Sequence, residues 1–163
     1  MEINQQISKV LNDTFDRTIQ LVSGVSPEII NEKTQDESWT IGQIVEHILI
    51  CSSGIPDSQT EEISRSFDEQ VPIIREIFLD FNRKYKADPS LRPRNEFYEK
   101  ADLISQLKDC KTSLLIDIKD KDLMLLCKDM EFPQIGYLTR YEWLSFISVH
   151  ILRHNHQIET RIK

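Results

Sequence analysis

Residues 139–158 read TRYEWLSFISVHILRHNHQI and are typical of a long helix. Thr139 and Glu142 have the spacing of a capping box, in which each side chain bonds the backbone N–H of the other residue at a helix start. Apolar side chains then recur at steps of three or four residues, at Trp143, Phe146, Ile147, Ile151 and Ile158. This period predicts an amphipathic helix that turns one face to a core.

Three other segments show the same period. The first ends near Gly24, and the second begins at Thr40, where Gln43 completes another capping box, and runs toward Gly54. The third spans residues 103–118. Four amphipathic helices bury their apolar stripes most simply against one another. We therefore predict an all-α fold, a four-helix bundle formed by a single domain over residues 1–163.

Residues 55–95 form a long connection between the second and third of these helices. Four of the six prolines lie here, and Pro72 could begin a short helix because Ile73, Ile77 and Phe78 follow at helical spacing. A connection of this length lets two consecutive helices run parallel. We therefore predict an up-down-down-up order for the bundle.

Composition and charge exclude several classes of protein. The chain has 163 residues, 39% of them hydrophobic, and a formal net charge of −7, so it lacks the basic face that binds nucleic acid or an anionic membrane. Three widely spaced cysteines are typical of a reducing compartment. The first residues do not resemble a signal peptide, and no apolar run could span a bilayer. We predict a cytoplasmic protein.

Familiar catalytic motifs are missing from the sequence. Its four glycines form neither a GxGxxG motif nor a P-loop, and there is no HExxH, Glu-x-x-His or GxSxG. These absences argue against nucleotide-binding loops, zincin proteases, di-iron carboxylate bundles and esterases of the nucleophile-elbow type.

The histidines give the strongest indication of function. At about 100° per residue, His154 lies about 40° around the helix from His150, and Gln157 about 20°, so all three share the predicted core face. His156 points about 120° away from it. His47 lies on the inward stripe of the second helix. Imidazoles at i and i+4 can bind one cation, and a third from a facing helix would complete the set.

Each of these residues also has an ordinary structural interpretation. A lone core histidine is usually hydrogen-bonded and inert, but three buried imidazoles without a metal would leave costly polar groups to satisfy. Cys51 could be a fourth ligand, a reactive thiol or a small core residue. Glu46 could orient a neighbouring group or be solvated. Trp39 could line a pocket or pack in the core.

Two blocks of sequence resemble the DinB-like, or DinB/YfiT, superfamily of bundle metalloproteins. One is SWTIGQIVEHI at residues 38–48, similar to a tryptophan-led entry into the second helix that ends at a ligand histidine. The other runs from Gly136 through a His-x₃-His pair with a trailing glutamine. The resemblance implies an up-down-down-up four-helix bundle and a divalent ion held by His47, His150 and His154.

The resemblance also implies an activity. Relatives include S-transferases that use low-molecular-weight thiols, so we expect a metal-dependent enzyme of the thiol S-transferase type that acts on small electrophiles. A metal-dependent hydrolase and a non-catalytic bundle that binds metal or a small ligand are the alternatives. Imidazole ligands suit zinc, nickel or iron. A small-molecule substrate and a homodimer are expected, and neither nucleic acid nor membrane.

Overall fold

The computed structural model describes residues 2–36 and 38–162. Its described residues form six α-helices, one 3₁₀ turn and two very short strands. The helices are α1 (Glu2–Ser23), α2 (Pro27–Ile30), α3 (Ile41–Cys51), α4 (Val71–Phe78), α5 (Lys100–Asp120) and α6 (Arg140–Ile162), with the 3₁₀ turn at Pro89–Leu91. Strands β1 (Thr60–Glu61) and β2 (Leu126–Cys127) pair antiparallel, with Thr60 opposite Cys127. The predicted all-α class is confirmed.

The four long helices predicted from periodicity are α1, α3, α5 and α6. The helix predicted at Pro72 is α4, which begins one residue earlier. The sequence analysis missed α2, which has only four residues. There Ser26 is the N-cap, its hydroxyl accepting a hydrogen bond from the backbone N–H of Ile29, and Pro27 occupies the first turn. An element of one turn is too short to show an apolar period.

The core forms where the long helices meet. Helix α1 packs against α5 and α6, α3 packs against α6 and α5, and α4 lies along α6. The largest fully buried side chains include Leu11, Phe15, Ile44, Ile48, Leu107, Leu114, Leu144 and Ile147. Each contributes about 1.5–3 kcal/mol by leaving water. Among the described helices, none is both long enough and apolar enough to cross a bilayer.

Both predicted capping boxes are present, and they set where α3 and α6 begin. In α3, the Gln43 N–H donates to the Thr40 hydroxyl at 3.1 Å, and the Thr40 N–H donates to the Gln43 side chain at 3.0 Å. In α6, Thr139 and Glu142 make the same reciprocal bonds at 3.1 and 2.9 Å. These starts fix the rotational position of every later side chain on each helix.

The carboxylate of Glu142 also joins α6 to the connection before α4. Its side chain is fully buried and accepts two hydrogen bonds from the Arg65 guanidinium, at 2.7 and 2.9 Å. It accepts another from the backbone N–H of Gln70 at 2.6 Å. A buried carboxylate with this many donors is well compensated for its lost hydration. The Arg65–Glu142 pair therefore holds the segment that precedes α4 against α6.

We predict that Glu142→Gln lowers the free energy of unfolding by about 3–5 kcal/mol, because it removes the buried charge that pairs with Arg65 and leaves Arg65 only its longer contact with Glu69, at 3.7 Å. Urea denaturation at pH 7 measures the loss. Glu159→Gln on the same helix is the control, since its ion pair with Arg17 is long, at 3.4 Å, and exposed. The control should stay within about 1 kcal/mol of the wild type. Equal losses in the two variants would contradict this structural role of the Arg65–Glu142 pair.

Candidate metal centre

Three histidines from two helices meet inside the protein. His47 lies on α3, and His150 and His154 lie one turn apart on α6, with only 4%, 6% and 9% of each residue exposed. The Nε2 atom of His150 is 3.1 Å from Nε2 of His47 and 3.0 Å from Nε2 of His154. The structure thus brings together the three histidines that the sequence analysis selected.

The spacing of these nitrogens matches that of ligands around one ion. With Zn–N bonds of about 2.0–2.1 Å, two nitrogens lie about 2.9 Å apart at a right angle and about 3.4 Å apart at a tetrahedral angle. The separations of His150 Nε2 from the other two, 3.1 and 3.0 Å, fall in that range. Each of these two pairs of nitrogens could therefore share one ion.

The outer nitrogens determine which atoms of the rings face one another. Nδ1 of His47 lies 2.7 Å from the backbone oxygen of Leu91, and a carbonyl only accepts, so Nδ1 carries the proton. Nδ1 of His154 faces the side-chain oxygen of Gln157 at 2.9 Å and donates to it. In both rings Nε2 is then unprotonated, and its lone pair points toward His150. Fixing a ligand histidine through its other nitrogen is usual at metal sites.

His150 is the ring whose hydrogen bonds are incomplete. Its Nδ1 is buried and has no hydrogen-bond partner among the described residues. Its Nε2 faces two lone pairs but can donate only one proton to them. A cation shared by the three Nε2 atoms would accept their lone pairs. Nδ1 of His150, on the other side of its ring, would then carry the ring proton and still have no partner among the described residues.

Burial keeps all three imidazoles uncharged at neutral pH. It lowers the pKa of His154 to about 4 and holds the pKa of His150 well below its ordinary value, where the neighbouring histidines add to the effect. Burial also lowers the pKa of His47, against the opposing hydrogen bond to Leu91. Neutral imidazole is the form that binds metal, so the site is ready to bind at pH 7.

Cys51 lies beside this cluster. Its Sγ is 3.8 Å from both ring nitrogens of His47, and one ligand atom from each of His47, Cys51 and His150 lies within 4.8 Å of the others. These three residues form a group that could hold a metal. It shares His47 and His150 with the three-histidine set, whereas His154 is not part of it. Burial raises the pKa of the Cys51 thiol to about 12.

Glu46 acts on the chain that supports His47. Its carboxylate accepts hydrogen bonds from the backbone N–H groups of Arg94 and Asn95, at 2.9 and 3.2 Å, and from the Tyr98 hydroxyl. Glu46 therefore holds residues 94–98 against α3, three residues beyond the Leu91 carbonyl that fixes His47. Glu46 was predicted to orient a neighbouring group, and the group that it contacts is the backbone of residues 94–98.

A glycine on α3 lets Tyr98 come this close. A Cβ added to Gly42 would lie 2.4 Å from Cδ2 of Tyr98, which real side chains do not tolerate. Gln43 adds a second contact to the same segment through the backbone oxygen of Asn95, at 3.3 Å. These contacts come from little more than one turn of α3, and together they tie the connection to that helix.

The aromatic rings of Trp39 and Phe146 pack against the histidines of the site. The Trp39 ring lies 5.0 Å from the ring of His47, and Arg161 at the end of α6 donates to its backbone oxygen at 2.7 Å. Phe146 stacks on His150, with 5.3 Å between ring centroids, and Phe78 of α4 packs edge-on to Phe146. These rings cover the histidines, and Trp39, predicted to line a pocket or to pack in the core, is half-buried beside His47.

His156 is separate from the cluster, as the helical arithmetic predicts. It is exposed and stacks on Phe81, with 4.2 Å between the centroids and 10° between the planes. Two surface clefts, of about 350 and 230 Å³, are lined by residues at the ends of α1 and α5 and by residues between α1 and α6. Neither cleft is lined by a histidine.

Sequence reasoning missed two supports of the site. The Leu91 carbonyl is a backbone group, and no side-chain pattern could reveal it. The stacking of Phe146 on His150 had a signal, because the two residues are four apart on the inward face of one helix.

The fold and the site together define the class: this is a helical protein with a candidate metal centre between two of its helices. The family model described as the DinB superfamily matches residues 11–158, and the chain belongs to that superfamily. It is also 24% identical over 161 residues to YuaE of Bacillus subtilis (strain 168), a protein described as uncharacterized. The match covers 92% of this chain and 93% of YuaE. No solved structure matches the chain.

We predict that His154→Ala and His156→Ala differ sharply in metal binding. His154 contributes a convergent Nε2, so its loss should abolish binding or weaken it at least about tenfold. His156 lies on the opposite side of α6, so its loss should leave the affinity nearly unchanged. Isothermal titration of both variants with zinc or nickel makes the comparison. Equal losses would rule out the three-histidine set.

We also predict that the metal-free protein loses stability as the pH falls from 7 to 5. Unfolded histidines take up protons near pH ~6.5, whereas the buried rings resist protonation until lower pH. The unfolded state then binds more protons, so stability falls by up to about 1.4 kcal/mol per pH unit for each such ring.

Urea denaturation in the presence of a chelator at pH 7, 6 and 5 measures this slope. His154→Asn should reduce it, because one of the buried rings is gone. A flat profile in the wild type would show that the three rings are hydrated and protonate freely.

Proposed function

We propose that this chain binds one divalent metal ion through His47, His150 and His154 and uses it as an enzyme of the thiol S-transferase type on small electrophiles. The observation that carries the proposal is the convergence of three Nε2 atoms at 3.0 and 3.1 Å, with two tautomers fixed by the Leu91 carbonyl and Gln157. Zinc, nickel and iron all accept such a set.

The chemistry follows from what three neutral ligands leave open. When bound, the ion would supply Lewis acidity, lowering the pKa of a low-molecular-weight thiol cosubstrate so that it reacts as a nucleophile. The residues of the chain hold and orient the ligands. Phe146 and Trp39 keep the surroundings apolar, which strengthens electrostatic interactions at the ion and suits a small apolar electrophile.

The same ligand set supports a hydrolase, in which water takes the place of the thiol. A non-catalytic bundle that binds metal or a small ligand is favoured by a different observation. All three histidines are at most 9% exposed. A substrate must therefore reach the ion by displacement of a covering group.

The arrangement of the long helices is part of the proposal. We infer that α1, α3, α5 and α6 form an up-down-down-up four-helix bundle, with residues 55–95 as the long connection. The packing of α1 on α5 and α6, and of α3 on α6 and α5, supports it. A homodimer is also proposed, supported by apolar side chains that stay exposed on α1 and α5, such as Val10 and Ile116. Light scattering at micromolar concentration tests it, and a pure monomer would refute it.

We predict that wild-type protein loaded with metal couples a small thiol to a generic electrophile, and that a chelator or His47→Ala abolishes turnover. His47 supplies one of the converging nitrogens, so its loss removes the ion. A screen of several thiols, each with and without chelator, measures the rate. His156→Ala is the matched control and should retain the wild-type rate.

The outcomes distinguish the alternatives. Turnover that survives chelation would overturn the metal-dependent mechanism. Metal binding without turnover on any thiol, together with ligand-dependent thermal shifts, would favour the binding module over the enzyme. Chelator-sensitive ester or amide cleavage without thiol would favour the hydrolase.

A further inference from the structure

We propose that the thiolate of Cys51 is a fourth protein ligand of the ion, which closes the site in the resting protein. The inference rests on the proposed metal site and adds to it a ligand from the chain itself. It changes how that site can be used, because three ligands leave a position for a substrate and four tetrahedral ligands do not.

The position of Cys51 follows from helical spacing. It lies four residues after His47 on α3, so the two side chains share one face of the helix. Its Sγ lies 3.8 Å from Nε2 of His47. With Zn–S of about 2.3 Å and Zn–N of about 2.0–2.1 Å, tetrahedral sulfur and nitrogen ligands lie about 3.5–3.6 Å apart. The distance from Sγ to Nε2 of His47 is therefore within about 0.2–0.3 Å of the value expected for two ligands of one ion.

The contacts of the sulfur distinguish Cys51 from another half-buried cysteine. Cys110 donates its S–H to the backbone oxygen of Ser52 at 3.1 Å, so that thiol already has an acceptor. Among the described residues, the hydrogen-bonding contacts of Cys51 Sγ are the two ring nitrogens of His47. Cys51 therefore lies beside the ring of His47, one of the proposed ligands, whereas the Cys110 thiol is bound to a backbone carbonyl.

The histidine cluster independently points to a ligand at that place. His150 is more than nine-tenths buried, and its Nε2 lies 3.1 Å from Nε2 of His47 and 3.0 Å from Nε2 of His154. One ligand atom each from His47, Cys51 and His150 lies within 4.8 Å of the others. Thiolate sulfur and imidazole nitrogen are both ligand types that suit zinc.

Coordination by Cys51 would limit access to the ion. A thiol that coordinates a divalent ion gives its proton to solvent and binds as thiolate. An external thiol or a water molecule then reaches the ion only in exchange for the Cys51 sulfur. The low exposure of the three histidines agrees with a site that is closed at rest.

Cobalt(II) added to the tag-free, metal-free protein tests the proposal, because a thiolate ligand gives a strong near-ultraviolet charge-transfer absorption that imidazole ligands do not. The wild type should show this band with one equivalent of cobalt. Cys51→Ser should lose it and keep the weaker visible bands of the histidine-bound ion. Cys110→Ser, the matched control, should retain the band.

Affinity gives a second readout. Loss of a group that only orients a metal ligand weakens binding by about 10–100-fold, so loss of a ligand should cost at least about tenfold. Zinc titration of Cys51→Ser against Cys110→Ser measures the difference. Equal affinities for the wild type and Cys51→Ser would overturn the proposal.

A measurement on the wild type covers the case in which Cys51→Ser does not fold. Zinc should slow alkylation of Cys51 and leave that of Cys110 unchanged, as mapped by mass spectrometry. Cobalt binding that depends on His47 but gives no charge-transfer band would refute the Cys51 ligand and leave the three-histidine site intact. No cobalt binding in the wild type would instead refute the proposed function.

Discussion

Three uncharged imidazoles directed at one point inside the protein impose the constraint on which the rest of the structure depends. Nε2 of His150 lies 3.1 and 3.0 Å from those of His47 and His154, and the one proton that a neutral His150 can carry there serves only one of the two lone pairs that face it. Burial lowers the pKa of each ring, so protonation does not relieve the conflict at neutral pH. A cation shared by the three rings does.

The surrounding chain is arranged to hold the rings in this position. Leu91 and Gln157 bind the outer nitrogens of His47 and His154, and Glu46 holds the segment that follows Leu91 against α3. Each support reaches a different ring or a different turn of the connection. The long irregular segment between α3 and α5 thus has a structural task, since its backbone fixes one ligand.

Periodicity predicted much of the fold and part of the site. The capping residues Thr40 and Thr139 located the starts of α3 and α6, and counting 100° per residue from His150 separated buried His154 from exposed His156. Both depend on short-range geometry within one helix. The Arg65–Glu142 pair joins residues 77 positions apart, and the Leu91 carbonyl carries no side-chain signature, so neither could be read from local pattern.

The relation between Cys51 and the histidines shows where sequence and structure each contribute. Spacing on α3 places Cys51 one turn from His47, but it does not distinguish a ligand from a small core residue. The structure supplies the distance of 3.8 Å and the contrast with Cys110, which bonds a carbonyl instead. The contacts of this one thiol therefore bear on whether the metal centre has a free coordination position.

Elemental analysis of protein purified without a histidine tag tests whether the buried histidines exist to bind a metal. We predict close to one equivalent of a single transition metal per chain in the wild type, a large loss in His47→Ala, and wild-type content in His156→Ala. The same measurement identifies the metal. Wild-type protein that contains no metal, and takes none up when zinc, nickel or iron is supplied, would contradict this interpretation and make the three histidines inert members of the core.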